Sequence, residues 1–230
     1  MKRVFIIGAN RGIGMGFARK FSSEGWEVYA SVWPQSRNDE SSRDLEAIAV
    51  NIFEIDYLDE TTIVRAAEQY GDSPLDCFIN CAGISGRSLA WEEYDSRLLT
   101  EYFQIMVVGP FLATKHFRPS LEKSANAKIV NISSRLGSIS ENIKGTKIAY
   151  KIAKAGLNQE TRTIAIDFKN SRCNIMAIAI DPGAVATRLS GWQGKIDLEQ
   201  SVDGMYSVID KVSAAETGTF WRWNGEQMPF

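Results

Sequence analysis

Tyr150 and Lys154 stand four residues apart in Tyr-Lys-Ile-Ala-Lys. On a helix this spacing puts both side chains on one face. An ammonium held beside a phenol favours the phenolate and lowers the tyrosine from its reference pKa of ~10 toward neutrality. A tyrosine tuned in this way exchanges a proton with an alcohol or a carbonyl oxygen. The same spacing also describes an exposed pair on an amphipathic helix, and the pair alone does not separate the two readings. Ser133 and Ser134 lie upstream at the end of an apolar run. Adjacent serines there are also ordinary turn residues.

A second constellation opens the chain. Gly8-Ala9-Asn10-Arg11-Gly12-Ile13-Gly14 follows the apolar run Val4-Phe5-Ile6-Ile7. It leads into a pattern in which Ile13, Phe17 and Phe21 recur every four residues. Strand, glycine turn and helix form the first unit of a nucleotide-binding α/β fold. Gly8 permits a tight turn off the strand. Gly12 and Gly14 lack Cβ, so backbone can approach a diphosphate and helix can pack closely on sheet. The helix start offers free N–H groups and a positive dipole end to that anion. The spacing is G-x-x-x-G-x-G, and taken alone it also fits a plain glycine turn.

The totals narrow the field. The chain has 230 residues and a formal net charge of −2, so nucleic-acid binding has no electrostatic support. Lys2 and Arg3 precede an apolar run that stops at Gly8, too short for the core of a signal peptide. No stretch approaches membrane-spanning length. The sparse cysteines Cys77, Cys81 and Cys173 read as reduced thiols in a cytoplasmic setting. The lone histidine, His116, reads as a partly exposed helix residue, which argues against a histidine-dependent hydrolase and against a metal site.

These residues need elements to position them, and the pattern supplies an alternating series. After the first helix, strands are predicted at 26–32, 49–55, 75–80, 128–133, 174–180 and 219–223. Helices are predicted from Asp59 to about Tyr70, over 96–121, 149–168 and 198–212, while 34–43 reads as a polar loop. The strands are continuous apolar runs, as in a parallel sheet covered on both faces. The expected fold is a single-domain α/β, Rossmann-like, doubly wound sheet over residues 1–230. In such sheets ligands sit beyond the carboxyl ends of the strands. Gly8–Gly14, Asn80–Gly83, Ser133–Ser134 and Pro182–Thr187 all fall there.

As a set, these motifs resemble the short-chain dehydrogenase/reductase family over nearly the whole chain. The resemblance rests on the glycine turn, Asn80-Cys81-Ala82-Gly83, Asn131-Ile132-Ser133-Ser134, Tyr150 with Lys154, and Pro182-Gly183-Ala184-Val185-Ala186-Thr187 in family order. The segment Ser-Ser-Arg-Leu-Gly-Ser-Ile and the ending Asn-Gly-Glu-Gln-Met-Pro-Phe look like the small carbonyl-reductase branch that includes C-factor and Sniffer proteins. The resemblance implies Tyr150 as general acid, Ser134 hydrogen-bonded to the same substrate oxygen, and Lys154 holding the nicotinamide ribose and depressing the tyrosine. It implies that Gly8, Asn10, Arg11, Gly12, Ile13 and Gly14 bind the cofactor phosphates. Asp56 would meet the adenine, Asn80, Ala82 and Gly83 would line the cofactor path, and Pro182, Gly183, Val185 and Thr187 would flank the nicotinamide. It further implies a homodimer or homotetramer acting on a small carbonyl or alcohol.

The expected cofactor is NADP(H). An NAD-selective site needs an acid after the second strand, and Ala30-Ser31-Val32-Trp33 has none. Arg11 can grip a 2′-phosphate, with Ser31 and Arg37 as helpers. Two residues depart from the family pattern. Met106 stands where an asparagine is usual, three residues before Gly109, and Ile7 stands where threonine is common. Met106 is the one feature that supports the competing reading, a dinucleotide-binding regulatory or scaffold protein with weak catalysis. Substrate choice falls to the loops at 85–91, 138–147 and 189–195.

Overall fold

The structure is a computed structural model and describes residues 1–230. The first half alternates β1 (Arg3–Ile7), α1 (Gly12–Ser23), β2 (Glu27–Val32), α2 (Glu40–Glu46), β3 (Asn51–Glu54), α3 (Glu60–Tyr70) and β4 (Cys77–Asn80). The second half holds α4 (Ser96–Phe103), α5 (Gly109–Leu121), β5 (Ala127–Ile132), α6 (Ile148–Asn170), β6 (Ile175–Asp181), α7 (Leu198–Lys211), β7 (Phe220–Arg222) and β8 (Gln227–Met228).

One sheet runs β3-β2-β1-β4-β5-β6-β7-β8, parallel throughout except for the antiparallel β8. The chain winds outward from β1 in one direction and resumes at β4 in the other. The crevice between the ends of β1 and β4 is therefore the topological switch point, where such sheets bind ligands. The expected doubly wound α/β fold is what forms.

Both faces of the sheet are sealed. Val4, Ile6, Val28, Ala30, Ile178 and Ile180 pack with Phe17 and Phe21 of α1 and Met205 and Ile209 of α7. The opposite face is aromatic. Phe5 lies 4.5–5.9 Å, centroid to centroid, from Phe53, Tyr70, Phe78 and Phe117. Alternate residues of β1 thus serve opposite cores, as the pleat requires. Trp221 and Trp223 pack against the α1–α7 core.

Local signals set the helix ends. Asp59 Oδ1 accepts from the Thr61 N–H at 3.0 Å and Asp197 Oδ1 from the Glu199 N–H at 2.9 Å, capping α3 and α7. The helix predicted over 96–121 runs through, with a π-helical turn at Gln104–Val108 between α4 and α5. Such turns accommodate one extra residue and are frequent at functional sites. The polar segment predicted as loop, 34–43, runs into α2 (Glu40–Glu46), which buries only Ser42 and Leu45. The two-residue β8 is a further addition to the predicted set.

No helix is long and apolar enough to cross a membrane. No group of three or more His, Cys, Asp or Glu residues is placed to hold a metal ion. His116 lies on α5, with Nε2 2.8 Å from Glu60 Oε1.

Candidate active site

The glycine turn is a cradle closed by backbone. Gly8 has φ +81°, and a Cβ there would lie 2.9 Å from Ala82 Cα. A Cβ on Gly14 would lie 2.1 Å from the Gly8 carbonyl oxygen, far inside contact distance. Gly12, at φ +53°, faces Thr187 Cγ2 at 3.5 Å from such a Cβ. The turn after β1 therefore meets both the segment after β4 and the segment after β6. Arg11 caps α1 from an extended conformation, with no side-chain cap and no acid in the first turn. The amides of the first turn are left facing outward with the positive dipole end, which suits a phosphate. Ile13 packs partly into the core.

The residues around the adenosine end divide. Arg11 is exposed and makes no ion pair, so its guanidinium is free for an anion. Asn10 is buried and its Nδ2 donates to Ser41 Oγ of α2 at 3.3 Å. Ser31, expected as a helper at the 2′-phosphate, is only 1 % exposed, and its hydroxyl accepts from the Gly8 N–H at 3.4 Å. Its place is beneath the turn, as a support. Arg37, the other expected helper, is engaged with Glu46 at 2.8 Å. Asp56 accepts from the Trp33 indole at 3.1 Å and from the Leu58 N–H at 2.9 Å, which fixes the wall where adenine was expected.

Behind the strand ends runs a buried polar chain. The Tyr57 hydroxyl donates to Asn80 Oδ1, Asn80 Nδ2 to Asn131 Oδ1, and Asn131 Nδ2 to Thr161 Oγ1, each at 2.8 Å. Thr161 Oγ1 closes the chain on the Leu157 carbonyl at 2.7 Å. Every member is thereby satisfied, which buried polar groups require. The chain ties α3's approach, β4, β5 and α6 into one register. It places Asn80 as a structural member of the crevice wall, with Ala82 and Gly83 just beyond it.

Ser134, Tyr150 and Lys154 come together. Ser134 follows β5, and its hydroxyl accepts from the Leu136 N–H at 3.2 Å. Gly137 lets this turn lie directly on α6, since a Cβ there would be 2.8 Å from the Lys154 carbonyl. Gly86, on the opposite side, abuts Tyr150: a Cβ on Gly86 would sit 2.9 Å from the ring. Lys154 is buried, its Nζ 5.9 Å from the Tyr150 ring centroid and donating to the Ile132 carbonyl at 2.7 Å. Ser133 Oγ donates to Asn158 Oδ1 at 2.6 Å, so it is committed to structure while Ser134 faces the tyrosine.

The electrostatics correct one expectation. Burial pushes the Tyr150 phenol up to about 12, while the neighbouring Ser134 hydroxyl pulls it down and Asp181 and Tyr102 add to the rise. Lysine does not depress it in this arrangement, because the ammonium is turned to a carbonyl and is not at the phenol oxygen. Lys154 itself is lowered to about 8 by burial. A low-dielectric setting thus disfavours both charged forms.

The last wall follows β6. Asp181 Oδ1 accepts from the Arg135 N–H at 3.0 Å, and the Pro182 carbonyl accepts from Ser201 Oγ at 2.7 Å. Gly183 has φ +76°, and a Cβ there would collide with Ile196. Val185 and Thr187 are buried, and Thr187 faces Gly12 across the crevice. Met106 is 1 % exposed and packs with Tyr102, Ala149 and Ala153, where it fills space and offers no hydrogen bond.

The pattern reading missed Tyr57, Gly86, Asn131 and Thr161 as makers of the site. It also missed Glu160 on α6, whose two carboxylate oxygens are buried without a partner. Of these, only Asn131 carried a signal, as part of the motif before the serines.

The short chain dehydrogenase profile matches residues 2–195. The chain belongs to this family. C-signal of Myxococcus xanthus is 31% identical over 157 residues, covering 68% of this chain and 93% of that protein. A 1-hydroxy-2-glutathionyl-2-methyl-3-butene dehydrogenase of Rhodococcus is 26% identical, covering 98% of each chain. Among solved structures, an NADPH-bound carbonyl reductase from chicken fatty liver superposes with a TM-score of 0.92 at 28% identity, covering 100% of this chain and 99% of that one. The carbonyl reductase Sniffer of D. melanogaster gives 0.92 at 26% identity, with 100% of both chains covered. Short-chain dehydrogenases are oxidoreductases, and this chain shares both their profile and their fold.

Proposed function

We propose that this oxidoreductase uses NADP(H) and reduces a carbonyl compound, with Tyr150 as the proton donor. The observation that carries the reading is the meeting of Ser134, Tyr150 and Lys154 beside a glycine cradle too tight for any side chain at Gly14. The NADPH in the chicken carbonyl reductase supports the cofactor. The residues present fit it: free amides at α1, an unpaired Arg11, and no acid after β2.

The bound cofactor supplies the hydride. Tyr150, kept protonated by burial, presents its O–H to the carbonyl oxygen. Ser134 holds that oxygen in place with a second hydrogen bond. Lys154, one helical turn on, would anchor the ribose side of the pocket. Gly12, Gly14 and Arg11 would hold the phosphates, while Thr187, Val185 and Pro182–Gly183 would form the wall beside the nicotinamide. The Tyr57–Asn80–Asn131–Thr161 chain keeps the strand ends in register.

Exposed apolar side chains on the long helices, among them Leu99, Phe103, Phe111, Ile152 and Ile166, support a homodimer or homotetramer. Three free cysteines support a reducing, cytoplasmic compartment.

The test is NADPH consumption with a panel of simple aldehydes, ketones and quinones. Turnover of at least one class with NADPH, and weaker activity with NADH, is the expected result. Tight NADPH binding with no turnover of any panel member would favour the regulatory or scaffold reading, which rests on Met106 alone.

A further inference from the structure

A pocket of about 70 Å³ is lined by three cationic side chains and one anionic one. Its wall includes Arg135, the residue after Ser134, and Lys151, the residue after Tyr150. Leu136, Glu141, Asn142, Ile143, Lys144 and Thr146 complete it. Lys151 is only 8 % exposed, and its ammonium donates to Asn142 Oδ1, an uncharged acceptor. Neither Arg135, Lys144 nor Lys151 forms an ion pair, whereas Glu141 is already paired with Arg222 at 3.7 Å. Asp181 is near enough to Arg135 to feel its charge, but its oxygen is occupied by the Arg135 N–H.

Three cations thus share one small pocket with a single carboxylate that is engaged elsewhere. Buried lysines are nearly always paired. Lys151 also stands in the first turn of α6, which contains no acid. The dipole of that helix end repels cations and attracts anions. An anion is the group that would relieve Lys151, the helix end and the two flanking cations together. The space exceeds the ~10–15 Å³ that one water molecule needs and suits a small anionic head group. Ile143 and Ile139, 85% and 77% exposed, stand beside it on the same loop and offer an apolar cover.

We propose that this pocket receives an anionic group, a carboxylate or a phosphate, borne by the carbonyl substrate itself. The substrate class is then an oxo acid: the carbonyl end meets Ser134 and Tyr150, an apolar spacer passes Ile139 and Ile143, and the anionic end meets Lys151, Lys144 and Arg135. The inference rests on the carbonyl-reductase reading for its reactive end only.

The experiment compares ω-oxo carboxylic acids of increasing chain length with their methyl esters as substrates for the whole protein with NADPH. At one chain length the acid should exceed its ester at least tenfold in kcat/KM, mainly through KM. That ratio should fall toward one in Lys144→Ala, an exposed site, and in Lys151→Met, which keeps the buried stem. Acid-to-ester ratios within twofold at every length, or a ratio that persists in both variants, would overturn the proposal. If ratios are flat but inorganic phosphate alters ester reduction in the wild type and not in Lys144→Ala, the pocket serves a free anion and the substrate assignment is wrong. If neither acids nor esters are reduced, the carbonyl-reductase reading fails, and calorimetry on the NADP⁺-saturated protein decides the pocket separately. Tenfold tighter binding of an acid than of its ester, lost in Lys144→Ala, would sustain it, and equal binding would end it.

Discussion

The turn at Gly8–Gly14 and the loop from Ser138 to Lys147 are built on opposite terms. The turn is made of backbone. Its glycines touch other main chain so closely that a methyl group at Gly14 would lie 2.1 Å from a carbonyl oxygen. The loop is made of side chains: Ile139 and Ile143 are bare, and Lys144 lies open beside them. A diphosphate is the same in every reaction of such an enzyme, so backbone can be shaped to it once. A substrate differs from relative to relative, and exposed side chains are what can change without disturbing the sheet. Tyr150 stands on the border, with Gly86 against its ring and Ser134 at its hydroxyl.

That contrast can be broken residue by residue. Tyr150→Phe removes one hydroxyl and keeps the ring, so it attacks chemistry and spares the cradle. Turnover should fall by roughly 10²–10⁴, the weight of a positioned acid, while NADPH binding measured by fluorescence titration stays nearly unchanged. Carbonyl reduction at the wild-type rate would show that the proton comes from another group.

Arg11→Ala attacks the cradle and spares chemistry. Loss of a charge-assisted contact of about 1.5–3 kcal/mol should weaken NADPH binding roughly ten- to hundredfold. NADH binding should hardly change, because the 2′-hydroxyl offers no charge to grip. Equal losses for both cofactors would move the 2′-phosphate contact elsewhere.

Glu160→Met should touch neither half of the site and change stability instead. Burial raises the Glu160 carboxyl from 4.5 to about 9 in the folded chain. The folded state therefore holds this proton more tightly than the unfolded state, so stability falls as pH rises from about 4.5 through about 9. The variant should remove that slope and gain roughly 1–3 kcal/mol at pH 8, with a smaller gain near pH 5. Chemical denaturation at the two pH values reads both effects, and parallel curves for wild type and variant would refute the assignment.

Met106→Asn should change rate little. An amide placed among Tyr102, Ala149 and Ala153 finds no partner there, so about 1–3 kcal/mol of stability should be lost. Turnover should stay within a few-fold of wild type. A tenfold rise would mean that the missing amide limits catalysis and would strengthen the weak-enzyme reading.

What could be read in advance follows the same division. Gly8 and Gly14 announce themselves because a Cβ at either would collide with neighbouring backbone, and Tyr150 with Lys154 because a helix fixes what four residues of spacing means. The sheet was legible because its strands are continuous apolar runs. The polar chain was not: its members are 23, 51 and 30 residues apart, and nothing local links them. The upward shift of Tyr150 escaped for a related reason, since its burial beside Gly86 and the turning of the Lys154 ammonium to the Ile132 carbonyl are tertiary facts. α2 was missed because Leu45 is its one buried apolar residue, too few to show a period. Ser31 and Arg37 have suitable chemistry for a 2′-phosphate, but partners at Gly8 and Glu46 already hold them.

The sheet ends in two very different rims. On one side β3 is four residues long, with Asn51 and Glu54 pointing outward, and on the other the two-residue β8 folds back antiparallel. Each rim is short, and the longer one is guarded by a carboxylate. A neighbouring chain that tried to extend this sheet would find few free amides and carbonyls to dock on, and a charge beside them. The eight-stranded interior, among the most adhesive surfaces a polypeptide can make, is thus kept from propagating from molecule to molecule.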